Sequence, residues 1–175
     1  MSGHVERGLR VAITCAVVAL IFGGIAFLVR LSLGDGSTDE LGQPRVEREA
    51  QRRLPSSSDP IWPLLRQTKI TEDAQRGVFM ASFPKSVAAL DGRELTIDGF
   101  MLPLEANAET HHFLLSRYTP VCPFCPPGEP NEIVEVYARS SIVPTPDEVT
   151  VTGRLGLQRD GGGGLFFRLD DADVS

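Results

Sequence analysis

The run Asp91-Gly92-Arg93-Glu94-Leu95-Thr96-Ile97-Asp98-Gly99-Phe100 decides the fold. After Asp91-Gly92, a tight-turn dipeptide, Leu95, Ile97 and Gly99 alternate with Thr96, Asp98 and Phe100. A period of two puts one set of side chains on each face of a strand. Downstream, His111 to Leu115, Ile133 to Tyr137, Val149 to Leu157 and Leu165 to Leu169 are rich in β-branched, leucine or aromatic residues, and clusters of Gly, Pro, Asn or Asp separate them. Short strands with little room for crossover helices predict a mainly β domain, a small OB-like five-stranded antiparallel barrel of the oligonucleotide/oligosaccharide-binding type. Asp160 and the glycines Gly161 to Gly164 link the last two strands. A phosphate cradle would lead into a helix N-terminus or carry a lysine or hydroxyl partner, so this link reads as a hairpin turn.

Upstream of the first strand, Trp62 to Gln67 and Thr71 to Gln75 read as short helical or irregular packing pieces. Thr71-Glu72-Asp73 resembles a helix start, and Trp62 is placed as a core plug. From residue 61 to 175 the chain is long enough for one small domain. Ten basic residues against sixteen acidic ones give that stretch the whole net charge of the chain, −6. Such a surface repels nucleic acid and anionic lipid and tolerates cations.

Residues 31–60 change to Gly, Ser, Pro, Gln, Arg and Glu, a composition that cannot bury enough surface to offset the entropy of ordering, and they read as a disordered tether. Within it Val46 to Leu54 can form a short charged helix with a solvated face. Val11 to Val29, uncharged between Arg10 and Arg30, is long enough to cross a hydrocarbon core of roughly 30 Å as one helix. Residues 1–10 are then a short tail, 11–30 a transmembrane anchor and 61–175 an exported domain. With no small-x-small cleavage site evident around Leu28 to Gly36, the anchor reads as an uncleaved signal anchor in a bacterial inner membrane, with the domain facing the periplasm or cell exterior.

Cys122-Pro123-Phe124-Cys125-Pro126-Pro127-Gly128 holds the two cysteines outside the anchor, Cys15 being the third. Their spacing permits a disulfide, reasonable in an oxidising compartment, or a shared zinc or copper ion. A closed zinc site needs four ligands, so His111, His112, Met101 or an acidic residue would complete it. On a strand His111 and His112 point to opposite faces, and His112 is chosen as the third ligand. Prolines at 123, 126 and 127 argue against the helix that thioredoxin-like exchange uses. No nucleotide motif, serine–histidine–acid arrangement or helical metalloprotease pattern is present, and the chain reads as a non-enzyme.

Leu90-Asp91-Gly92, Ile97 to Glu105, His112 to Leu115, Cys122 to Gly128, Pro130 to Val134 and Val149 to Gly153 follow in one order. Together, over about Leu90 to Leu169, they resemble the bacterial domain-of-unknown-function family 3299. The resemblance implies an OB-like barrel, tethered to the membrane or lipoprotein-like, in the envelope, beside transport permeases such as ABC-type ones. Some relatives carry a histidine where this chain has Phe124, and Cys125 follows one place later. Two functions are expected: metal binding or delivery through Cys122, Cys125 and His112, or a non-catalytic partner-binding subunit of a transport complex with a structural Cys122–Cys125 disulfide.

Overall fold

Five strands closed into a ring cannot alternate in direction all the way round, and the barrel shows the consequence. The structure is a computed structural model and describes residues 45–73, 76–120, 128–160 and 163–175. Its barrel strands are β3 (Glu94–Pro103), β4 (Thr110–Ser116), β5 (Ile133–Ile142), β6 (Glu148–Leu157) and β7 (Phe167–Val174). They close in the order β3-β4-β5-β7-β6. Four neighbouring pairs are antiparallel, and β5 with β7 is parallel. The expectation of a wholly antiparallel barrel is therefore corrected to a mixed one. An odd ring needs at least one like-directed pair, and it falls where β7, turning back from β6, meets β5.

Alternation places the core. Leu95, Ile97 and Met101 of β3 face inward with Phe113 and Leu115 of β4, Val134 and Val136 of β5, Val149, Val151 and Leu155 of β6, and Phe167 and Leu169 of β7. Gly99 holds its place in that series by size. A Cβ there would lie 2.8 Å from the Ser116 carbonyl oxygen and 2.9 Å from Leu115 Cγ. Trp62, the expected plug, is fully buried in the same cluster. It sits on α2 (Ile61–Leu65), whose first amide donates to Asp59 Oδ1 at 2.7 Å. The indole N–H donates to the Asp98 carbonyl at 2.7 Å, and the Asp98 amide donates to Asp59 Oδ2 at 3.0 Å, so the polar edge of the tryptophan is satisfied as its body is buried.

Outside the barrel, β1 (Lys69–Asp73) and β2 (Val78–Ser82) form a two-stranded antiparallel sheet, followed by α3 (Lys85–Ala88). Thr71-Glu72-Asp73 is thus strand, not a helix start. Ile70 and Phe79 pack against the core, and the Ala81 amide donates to the Arg159 carbonyl at 2.8 Å, so tertiary burial overrides the local capping pattern.

Of the expected tether, residues from Arg45 onward are described. Arg45–Gln51 forms α1, in which Arg48 is buried where a solvated face was expected. Ser56 bridges to Tyr118. The Ser57 amide donates to the Arg117 carbonyl at 2.8 Å, and the Thr119 amide donates to the Pro55 carbonyl at 3.0 Å. Among the described residues no helix is long and apolar enough to cross a membrane. The span at 11–30, the rest of the tether, Cys122 and Cys125 lie outside the described residues. The barrel and its buttress form a compact unit from Arg48 to Ser175.

Candidate functional site

His112, Glu135 and Tyr137 meet on the outside of the barrel wall because inward positions alternate with outward ones. Phe113 on β4 and Val134 and Val136 on β5 fill the core, which turns His112, Glu135 and Tyr137 outward. Register does the rest, pairing His112 with Tyr137 and Leu114 with Glu135, and Glu135 in turn with Arg168 on β7. The two rings stack, with centroids 4.3 Å apart and planes inclined by 11°. His112 Nε2 lies 2.9 Å from Glu135 Oε1, and the Tyr137 hydroxyl donates to the same oxygen at 3.1 Å. The Arg168 guanidinium carbon sits 6.0 Å from the Tyr137 ring centre and Arg168 is itself paired with Asp170 at 3.0 Å. Partial burial first, then the Glu135 charge and its hydrogen bond, push the Tyr137 phenol above its ordinary 10.0.

A second carboxylate lies three residues earlier in a different setting. Pro130–Glu132 forms a 3-10 turn closed by a capping box, in which the Glu129 amide donates to Glu132 Oε2 at 3.2 Å. The other oxygen, Oε1, takes Arg66 Nε at 3.1 Å and Arg117 Nη1 at 3.2 Å. Arg48 Nε and Arg52 Nη2 approach Glu129 at 3.6 and 3.8 Å. Asn131, also buried, donates to the carbonyls of Arg66 and Thr68 at 3.3 and 3.2 Å. This network ties Arg48, α2 and the start of β5 together.

Of the residues selected for a metal, His112 is in the outer-wall cluster, with Nε2 engaged by Glu135. Met101 faces the core and His111 is exposed beside a register shift in β4, so neither joins His112. Among the described residues no three His, Cys, Asp or Glu side chains are placed to hold a metal ion; Cys122 and Cys125 lie outside them. Glu135, Tyr137 and Arg168 were not singled out from the sequence. The alternation within Ile133 to Tyr137 already puts Glu135 and Tyr137 on one face, but only the register brings them to His112.

The fold and this site define a small mixed β-barrel domain with a polar–aromatic cluster on its outer wall. The chain belongs to the family described as "Protein of unknown function (DUF3299)", whose model matches residues 42–162. A similar solved structure is that of a DUF3299 family protein from Pseudomonas aeruginosa PAO1, 20% identical, covering 71% of this chain and 91% of that one with a TM-score of 0.44. No curated protein matches the chain.

Proposed function

We propose that this protein is a membrane-anchored accessory of the bacterial envelope, non-catalytic, whose OB-like barrel docks a partner protein such as a transport permease through the outer wall of β3, β4 and β5. The carrying observation is that wall: Tyr137, 41% exposed on β5, is a large side chain held outward by a strand whose alternate residues fill the core, and Leu104, 45% exposed, follows directly after the last residue of β3. Exposed aromatic and aliphatic anchors on a rigid sheet suit partner binding. The strand order, with the third and fifth barrel strands adjacent and parallel, supports the OB-type reading. The anchor at 11–30 supplies the address.

The test places a photo-reactive amino acid at position 104 of the full chain in its native membrane, with position 160 as control. An adduct of defined mass at 104 alone, lost with Tyr137→Ser, is the expected result. No adduct at 104 sinks the reading.

A second reading, zinc or copper handling, is favoured by the Cys122-x-x-Cys125 spacing. Because Glu135 engages Nε2, His112 could join those thiolates only through Nδ1 or by giving up the Glu135 bond.

A further inference from the structure

We infer that the partner segment taken by this wall is apolar and flanked by lysine or arginine, which deepens, and rests on, the partner-docking reading above. The outer face of β3 changes character along its length. Glu94, Thr96 and Asp98 face outward on its first half, and Phe100 and Leu102 on its second, followed by Leu104. Register then carries the apolar half across the sheet, Leu102 opposite Leu114, Leu114 opposite Glu135, and His112 opposite Tyr137. Directly opposed residues have Cβ atoms about 5 Å apart, so Leu102 and Leu114 are continuous with the His112–Tyr137 pair. Among the described residues, Phe100, Leu102 and Leu114 are not packed against the core cluster, although each is half-buried.

The rim gives the charge of the occupant. Glu135 is engaged by His112, and Asp170 by Arg168. By contrast Glu105 accepts from Asn107, and Glu109 from Ser141 at 2.6 Å, and among the described residues neither carboxylate has a cationic partner. Both are exposed and both lie on the connection that follows Leu104. An apolar strip bordered by carboxylates without counter-ions complements a segment that brings cations beside its apolar side chains. The same charges disfavour the other occupants. A second copy would bring Glu105 and Glu109 against their own equivalents, and an anionic lipid surface or nucleic acid would be repelled by a domain carrying the chain's net charge of −6.

The probes are two short labelled peptides, one alternating Leu and Lys and one alternating Leu and Glu, titrated into the full chain in detergent. Binding of the Leu-Lys peptide is expected to weaken about tenfold in Leu104→Ser/Tyr137→Ser. In Glu105→Gln/Glu109→Gln it should weaken about threefold and lose most of its salt dependence. Glu72→Gln/Asp160→Asn, an equal change of charge at exposed positions outside the β3, β4 and β5 wall, should leave it unaltered. Equal binding of the Leu-Glu peptide, or equal weakening by the Glu72/Asp160 pair, overturns the proposal. So does a dimer of the full chain in sedimentation that Leu104→Ser dissolves, since the face would then belong to a second copy. If the peptides fail while the position-104 adduct forms in the membrane, the chemistry assigned here is wrong and partner docking stands.

Discussion

Glu132 and Glu135 are three residues apart on one short stretch, yet one belongs to the frame and the other to the surface. Glu132 lies in a 3-10 turn, 4% exposed in its side chain, with two guanidinium groups and a backbone amide on its oxygens. Glu135 lies on the strand that follows, 14% exposed, and shares one oxygen between an imidazole that is 37% exposed and a phenol. A carboxylate buried among arginines cannot lose them without leaving charge stranded in a poor dielectric, whereas one at the wall keeps water as an alternative partner. Position relative to the end of the turn, rather than residue type, separates a fixed strut from an adaptable contact.

Glu132→Gln is the strongest way to break the contrast. It leaves Arg117 and part of Arg66 uncompensated and should cost about 3 kcal/mol in urea unfolding of the full chain. A loss as small as that expected for Glu135 would place both glutamates in the same class. Asn131→Ala sharpens the contrast from the neutral side. It removes both donors to the Arg66 and Thr68 carbonyls and should cost about 2 kcal/mol with little change in the unfolding slope. Glu135→Gln is the smallest perturbation, under about 1 kcal/mol. Its clearer effect is on Tyr137, whose alkaline titration, followed by ultraviolet absorbance in a Tyr118→Phe background, should fall back towards 10.0. Because the folded phenol titrates above the unfolded one, this contribution to stability is present below 10.0 and is lost as pH rises past it. An unmoved titration would mean that burial alone raises the phenol.

The barrel strands were legible because alternation is a local property that every strand repeats. Along β3 the face of Leu95, Ile97 and Gly99 can be named before any pairing is known, while the last strand, expected at Leu165 to Leu169 from composition, runs from Phe167 to Val174. What local pattern could not supply was parity: five strands in a ring require a parallel pair, and the sequence carries no mark of which pair it is. The β1–β2 sheet was hidden for a different reason. Val78-Phe79-Met80 is apolar without alternating, and Thr71-Glu72-Asp73 offers a good helix cap, so only packing of Ile70 and Phe79 on the core settles it as strand. Arg48 was hidden by its company, since a helix with balanced charges looks solvated until Glu129 is folded against it. At the site His112 was singled out as a neighbour for Cys122 and Cys125, and its observed neighbours, Glu135 and Tyr137, come from another strand through register.

The parallel contact between β5 and β7 also fixes an order of events. β7 is the last strand of the ring and borders both β5 and β6, so β3 to β6 alone form an open ribbon with two raw edges. In synthesis residues 167–174 follow the other four barrel strands, and until they arrive no closed core exists. The two strand edges stay open over that interval, which ends when Phe167 to Val174 slides between its two neighbours.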